Sequence, residues 1–572
     1  SYANEGSKCG TSESNCLSAA TVSQGFASDV IIQGSFTQDE VQNLVDLINS
    51  GSLPAKLSEV SSQTVGASFG SDTLNTTLTA GIIAFIAIVI LLVLIYHFAG
   101  FISAVSMLIY TFLVFAIFWL VGGVLTLPGI AALLLGVGMA VDSNVITFAR
   151  IKDELRKGKS LPAAFKAGSK SSFSAIVDSN LTTLIVAIIM FIFGESSIKG
   201  FATMLIITVL VTMVTMVFLT RSLLKIFVNT DFFNDKTKLF INVKKKDIPD
   251  VSKNEEAKPN MFSNVNFFKH KKLYISISVA IILIGFIFIG LKGFNLSIDY
   301  RAGTEITIVS DKNITKKSIN SDLKELGLKS SSITVSSDEV DIRIDDALDG
   351  DKVKDTTNYF EDKYEAKVNI GVVSNLVQRE LVKNAVLAVF VALLGIIIYI
   401  SVRFKFSYAV GGVVALVHDV CIMFALFALT RLEVSSMFIA AVLAIIGYSI
   451  NDSIILFDRI RENLNNYNSK KLTASKLEEI TNLSVQETFT RTIYTSVTTL
   501  LPVIVLLILG SSGIFTFNMA MLFGLIAGTY SSIFIAAVIF MMIEKKSIGK
   551  KEKPKKVYKD DYEELAVKGV NC

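Results

Sequence analysis

Gly447-Tyr-Ser-Ile-Asn-Asp-Ser-Ile-Ile-Leu-Phe-Asp-Arg-Ile-Arg-Glu462 decides how this chain is read. It opens inside an apolar run and places Asp452 well within it. A carboxylate in hydrocarbon is costly, so it faces a bundle interior or a water-filled path. The chain carries nearly the same stretch once before, as Gly138-Met-Ala-Val-Asp-Ser-Asn-Val-Ile-Thr-Phe-Ala-Arg-Ile-Lys-Asp153. Setting Phe148 against Phe457 also pairs Arg150 with Arg459 and Ile151 with Ile460. In that register Asp142 falls opposite Asn451, and Asp452 opposite Ser143. A helix turns each successive side chain by about 100°, so the two acids are not expected to be strict symmetry mates.

The surrounding composition suits such a pair. The 572 residues are 51% apolar and only 18% charged, against roughly 25% charged in an ordinary soluble domain. Mean hydropathy is +0.57. These values indicate a polytopic membrane protein. The net charge of +4 is small, and its basic residues flank apolar blocks without aromatic interleaving, which excludes a nucleic-acid footprint. Cys9, Cys16, Cys421 and Cys572 show no metal-ligand spacing. No cofactor or metal is expected. Cys9 and Cys16 could pair if that end is extracytoplasmic, and the sequence leaves that pairing open. The chain opens on Ser1 with no signal-peptide pattern, and a further front portion is expected ahead of it.

About 20 apolar residues cross a bilayer. Eleven such spans are expected near 79–97, 102–123, 128–149, 173–193, 200–222, 273–292, 382–402, 408–429, 434–457, 489–509 and 516–542. With the spans alternating, the loops holding Arg150 to Lys170, Arg221 to Lys272, Arg403 and Lys405, Arg459 to Lys471 and the tail from Lys545 all fall on one side. Positive charge marks that side as cytoplasmic. The expected organisation is an extracytoplasmic remnant at 1–77, containing one helical pattern at 38–48, and a five-span bundle at 78–227. A cytoplasmic linker at 228–272 and a single span at 273–293 follow. Next come an extracytoplasmic α+β domain at 294–380, a second five-span bundle at 381–543 and a basic cytoplasmic tail at 544–572. Within 294–380, strand-like 296–309, helical 316–326, two strands in 332–344, helical 352–364 and a last strand at 366–373 give the βαββαβ order of a ferredoxin-like domain. Leu291-Lys-Gly-Phe294 reads as a hinge, because Gly293 tolerates unusual backbone angles.

The repeat continues past the acids. Asn180-Leu-Thr-Thr-Leu184 lines up with Ser496-Val-Thr-Thr-Leu500, Gly194 with Gly510 and Phe218 with Phe534. Both acid-bearing spans run in the same direction, so the halves are parallel repeats, with the working site near midplane at their interface. Asp142, Asp178, His418, Asp419 and Asp452 lie within spans, and Arg491 lies at the entrance of another. Carboxylates, a histidine and hydroxyls suit a proton relay, since protonation neutralises an acid and changes its partners. Arg491 supplies a fixed counter-charge. Ser171, Ser174, Asp178 and Thr182 form one polar helical stripe, and Arg491, Thr495 and Thr498 another. The bland readings are a hydrogen-bonded acid that locks packing and a snorkelling arginine. Gly158-Lys159-Ser160 looks like the end of a P-loop, but Asp153 stands where the first glycine belongs. An ion gradient is therefore the energy source expected.

These motifs resemble the SecD and SecF protein-export subunits, fused in one chain, within the resistance-nodulation-division superfamily. The SecD-like part is carried by Leu44-Val-Asp-Leu-Ile-Asn-Ser-Gly-Ser-Leu-Pro54, Thr64-Val-Gly-Ala-Ser-Phe-Gly70 and the 136–154 stretch. The SecF-like part is carried by Ser297-Ile-Asp-Tyr-Arg-Ala-Gly303, His418-Asp419, 447–463 and Arg491-Thr-Ile-Tyr-Thr-Ser-Val-Thr-Thr-Leu500. The resemblance implies a non-enzymatic membrane component driven by the proton-motive force. It would assist export of unfolded polypeptides across the bacterial cytoplasmic membrane, beside the SecYEG channel, the SecA motor and a YidC-type insertase. It places the proton path on Asp142, Asp452 and Arg491, with Asp178, His418 and Asp419 as secondary candidates. One departure is local: the family's Asp-Phe-Thr-Gly-Gly reads Asp299-Tyr-Arg-Ala-Gly here. A small-molecule or lipid efflux pump of the same superfamily is the rival reading; it calls for large soluble domains in both halves.

Overall fold

The computed structural model describes residues 61–65, 67–249, 262–310, 312, 314–335, 339–467 and 472–548, with a few positions between 37 and 45. The Cys9–Cys16 pairing, most of the 38–48 helical pattern, the Leu44–Pro54 motif and the tail beyond 548 lie outside the described residues.

Strand β1 (Ser61–Val65) leads into helix α1 (Ala67–Leu120), followed by α2 (Leu127–Arg156) and α3 (Leu161–Phe193). Helix α4 runs through Ser196–Thr212, a π-helical turn at Met213–Leu219, and Thr220–Val228. After α5 (Lys271–Lys292) come β2 (Asn295–Leu296), β3 (Gly303–Val309), α6 (Lys316–Glu325), β4 (Ser332–Val335), β5 (Glu339–Ile344), α7 (Gly350–Tyr364) and β6 (Lys367–Val373). The chain re-enters the bundle through α8 (Asn375–Arg403) and α9 (Phe406–Thr430). It then forms β7 (Glu433–Val434), α10 (Ser436–Asn465) and α11 (Ala474–Leu509). Helix α12 closes the bundle as Phe515–Ser531, a π-turn at Ser532–Ala536, and Ala537–Ser547.

Among the described residues, ten helices are long and apolar enough to cross a membrane. The first is long enough for two crossings. Its 48-residue apolar helix would measure roughly 70 Å if straight, at about 1.5 Å per residue. It breaks at His97, whose φ of 51° and ψ of −122° are not helical. The chain doubles back there so tightly that a side chain at Gly100 would collide with the Leu92 carbonyl. The eleven expected spans are thereby accommodated.

Local sequence explains the boundaries. Thr126 caps α2 by accepting a 3.1 Å bond from the Gly129 N–H, and Pro128 occupies the first turn, where a missing donor costs nothing. Thr315 and Ser318 form a capping box on α6, and Asp349 caps α7.

The small domain keeps the βαββαβ order, and its strands lie β6-β3-β5-β4, all antiparallel. Alternate residues of β3 and β6 face a core built on Ile306, Ile308, Ile342, Val368, Ile370, Leu323 and Phe360. Two details depart from expectation. The sheet recruits β1, which pairs with β6 from Ser61 opposite Val373 to Val65 opposite Asn369, so residues ahead of α1 complete this domain. The strand expected over 296–309 is broken by a helical turn at Ile298–Arg301, because Ala302 and Gly303 adopt φ of 66° and 118°.

The 228–272 stretch is also less free than its charge suggests. Phe233 and Phe240 pack on Phe98, with ring centroids at 4.8 and 6.1 Å, and Phe262 and Phe267 each lie 4.8 Å from Phe489. These four phenylalanines hidden among the lysines dock its two ends, and residues 250–261 lie outside the described residues.

The repeat is visible as exchanged contacts. A Cβ at Gly138 of α2 would rest 3.4 Å from Thr499 of α11, and one at Gly447 of α10 would lie 3.3 Å from the Thr183 Cα of α3. Gly138 matches Gly447, and Thr183 matches Thr499, so each half packs its central helix on the same helix of the other. Phe218 and Phe534, also repeat mates, each fall in a π-turn, a feature frequent at functional positions.

Enlarging Gly447 should separate the halves, since Thr183 presents backbone that cannot rotate away. Gly447→Leu is expected to cost about 1–3 kcal/mol, as overpacking does, and to lower the thermal midpoint in detergent. Gly290→Leu, which meets nothing within 4 Å, should leave that midpoint unchanged.

Candidate functional site

The two acid-bearing helices are the innermost. The apolar stretch of α10 is 100% buried and that of α2 94%, against 11% for α5. Apolar faces all round leave few polar neighbours, so the contacts of each ionisable group can be followed individually.

Asp142 Oδ2 accepts a 2.9 Å bond from Asn451 Nδ2. These residues are repeat mates, and they meet across the interface of the halves. Asp142 Oδ1 and Arg491 Nε have no hydrogen-bond partner among the described residues. Asp452 is buried, and no described residue hydrogen-bonds to it. Arg491 of α11 lies within electrostatic reach of both acids. The structure thus gathers Asp142, Asp452 and Arg491 in one buried cluster with no direct ion pair. Beside it, the hydroxyls of Tyr448 and Thr499 share a 2.6 Å bond.

His418 and Asp419 form a second network. His418 Nδ1 lies 2.9 Å from Asp419 Oδ1, and its Nε2 lies 2.9 Å from Ser278 Oγ on α5. Asp419 Oδ2 accepts from Ser531 at 2.8 Å, just before the π-turn of α12, and from Ser449. Ser449 precedes Asp452 by one helical turn on α10, which links the two networks through a single helix.

Asp178 stands apart. Its carboxylate accepts from Tyr399 at 3.0 Å and from Arg403 Nε at 2.9 Å, and Arg403 also donates to Ser174 at 2.7 Å. It forms no bond to Asp142, Asp452 or Arg491, and it ties α3 to α8. The Arg491 stripe likewise ends locally, since Thr495 and Thr498 donate to the carbonyls of Thr492 and Tyr494.

Ion pairs close the end of the bundle away from the small domain. Arg150 meets Glu462 at 3.1 Å, and Arg459 meets Glu462 at 2.9 Å and Glu487 at 2.7 Å. Arg459 also lies in the field of Asp153. A cavity of about 110 Å³ among Asp153, Arg459, Glu487 and Tyr96 reaches Arg491. Asp142 meets α10 at Asn451, and Arg150 meets it at Glu462 further along. Contacts that advance together show that α2 and α10 run parallel.

At the other end, a cavity of about 970 Å³ is lined by the small domain and the starts of α2 and α10. Asp299, Glu305, Asp341 and Glu433 line it. Burial, aided by Glu305, Asp341 and Asp299, pushes Glu433 from 4.5 up to about 7 against the pull of Arg343.

Sequence reasoning missed Asn451, Ser449, Ser531, Tyr399 and Arg403. Asn451 stood in the decisive stretch, opposite Asp142 in the alignment; the repeat itself was the available signal.

Two parallel helical halves enclosing ionisable groups at their interface define a class, the two-half membrane transporters built from internal repeats. Residues 49–230 and 352–546 match the family described as "Protein export membrane protein SecD/SecF, C-terminal". The chain is 42% identical over 531 residues to the protein translocase subunit SecDF of Bacillus subtilis (strain 168), covering 92% of this chain and 72% of that one. It is 32% identical to the SecDF of Brucella abortus, covering 94% and 69%. It also resembles the crystal structure of SecDF from Thermus thermophilus, described as a translocon-associated membrane protein. The TM-score is 0.77 at 30% identity, over 91% of this chain and 69% of that one. This chain belongs to the SecD/SecF family.

Glu433 gives the junction a pH dependence. A carboxyl raised in the folded state stabilises fully below its unfolded value of 4.5, and that contribution is lost as pH rises through about 7. The thermal midpoint of the parent should therefore fall between pH 5 and 7.5 by more than that of Glu433→Gln, as measured by detergent melts buffered across that range.

Proposed function

We propose that this protein is an accessory subunit of the Sec translocase that uses the proton-motive force to assist export of unfolded polypeptides. It would act beside the SecYEG channel and the SecA motor, with a YidC-type insertase as a further neighbour, and as a transporter rather than an enzyme. The small domain lies outside the cytoplasmic membrane, and the arginine-rich end with the C-terminus lies inside. The family and the translocase names of its relatives support the first part of this reading, and the distribution of basic loops supports the orientation.

One observation carries the coupling: Asp142, Asp452 and Arg491 are buried together at the interface of the halves without an ion pair. A desolvated site with two carboxylates and one guanidinium balances its charge when it holds one proton. Loading or losing that proton changes the interaction between helices belonging to different halves. Such a difference between two states is what a gradient needs to do mechanical work. The 110 Å³ cavity beneath Arg491 gives the proton a wet route at the arginine-rich end, and the Ser449–Asp419–His418 chain offers hydroxyls and a ring on the other side of Asp452.

Asp142→Asn and Asp452→Asn should each abolish gradient-dependent export of a secreted reporter in cells carrying the full-length parent, with abundance unchanged. Parental export by both variants under an imposed gradient would remove the relay. Lys159 is engaged by Glu154, which also accepts from Lys157 at 2.7 Å. Lys159→Ala should accordingly leave activity intact, and the purified protein should show no specific ATP binding in an equilibrium titration.

A further inference from the structure

The N-terminus of α10 is held by the small domain. Ser435, at the cap position, makes no side-chain bond to the helix. Asp299, from the turn between β2 and β3, accepts the Ser436 N–H at 3.1 Å instead. The first N–H groups of a helix have no partner within it, so an acid here both satisfies a donor and suits the helix dipole. A second tie lies just ahead of it. β2 pairs in parallel with β7, Asn295 opposite Glu433 and Leu296 opposite Val434, and the Ser297 N–H donates to the Val434 carbonyl at 3.0 Å.

Arg343 of β5 locks this ladder to the sheet. Its Nη2 meets Glu433 at 2.7 Å and its Nε meets Glu305 at 3.2 Å. Its Nη1 reaches Asn295 Oδ1 at 3.0 Å and the Leu296 carbonyl at 3.3 Å. One planar guanidinium thus grips the domain's own strand, the strand leaving α5, and the strand entering α10. A planar fork holds several acceptors in fixed geometry, which a lysine does not.

From Ser436, α10 runs unbroken to Asn465. Asp452 lies 16 residues along it, about 24 Å at 1.5 Å per residue. A continuous helix buried on all sides transmits displacement along its axis. At another of the domain's attachments, α5 ends at Gly293, whose φ of 62° and free space around a Cβ suit a pivot, with its carbonyl accepting from Arg431 at 2.6 Å. The domain is therefore clamped to the acid-bearing helix and jointed to α5, while β1 and β6 run directly into α1 and α8.

We propose that Arg343 and Asp299 are the positioning residues that convert movement of α10, set by the charge state at Asp452, into movement of the small domain. The inference rests on the proton-coupled reading above. It identifies the mechanical output of that site: the domain follows α10 while pivoting at Gly293. Arg343 and Asp299 touch neither the proton nor the exported chain; they act through α10.

The test uses the full-length parent in sealed membrane vesicles with two readouts, proton entry under an imposed gradient and export of a secretory reporter. Arg343→Ala and Asp299→Ala should each lower export at least about fivefold, the lower bound of typical coupling between sites, while proton entry persists. Export at the parental rate in both variants overturns the proposal. Parallel loss of export and proton entry also overturns it, because that marks a merely structural role. The charge-exchanged pair Arg343→Glu with Glu433→Arg should recover export relative to Arg343→Glu alone; no recovery counts against the clamp. Failure of the underlying reading is distinguishable, since proton entry would then be unaffected by Asp452→Asn.

Discussion

Two carboxylates and one guanidinium withdrawn from water at the interface of two helical halves set the terms for the rest of the structure. Removing a charge from water costs several kcal/mol even after relaxation. Such a site persists only where the surrounding helices leave it no cheaper alternative. Here α2 and α10 are enclosed on every side by the other spans. The absence of a direct ion pair between the acids and Arg491 matters as much as their burial. A closed pair would fix one charge state, whereas separated groups leave the proton count open to change.

The fold builds this site by using one packing solution twice. Gly138 on Thr499 and Gly447 on Thr183 are the same contact in exchanged halves. Arg150 with Glu462, and Arg459 in the field of Asp153, occupy exchanged positions of the repeat, and the first of these closes to an ion pair. A two-fold interface is self-complementary, so one favourable contact is counted twice. The small residues allow close helix approach in a medium where apolar side chains gain nothing from leaving lipid. The ion pairs sit at the wet end, where their desolvation is least. The halves are held tightly at those levels and loosely at the acids between them.

Much of this was legible in the sequence because membrane helices announce themselves by length and apolarity, and because the repeat aligns 142 with 451 without a gap. The βαββαβ order of the small domain was legible for a similar reason: its strands alternate and its helices carry caps at Thr315 and Asp349. What escaped was everything set by distant partners. β1 belongs to the sheet through backbone pairing with β6, a contact that leaves no side-chain pattern. Arg403 looked like one more positive-inside residue, and only the approach of α8 to α3 gives it Asp178. The docked ends of 228–272 were masked by lysines, since charge counting outweighs four scattered phenylalanines. The π-turns have no propensity signature at all.

The departure from symmetry at the centre has a physical reason. Had both acids occupied equivalent positions on the axis, they would face each other as like charges, and one ionised form would always exclude the other. The sequence avoids this by one residue. Asn451 stands where the mate of Asp142 would be and donates to it, while the second acid is rotated a step around α10 to position 452. The result is two inequivalent carboxylates, one held by an amide across the interface and one without a hydrogen bond from any described residue. Under the proposed proton-coupled reading, inequivalent acids sharing a single cation would pass a proton in a defined order, whereas equivalent ones would have no preferred direction. A repeat that is regular in its packing and irregular by one position in its chemistry would then combine a stiff frame with a directional site.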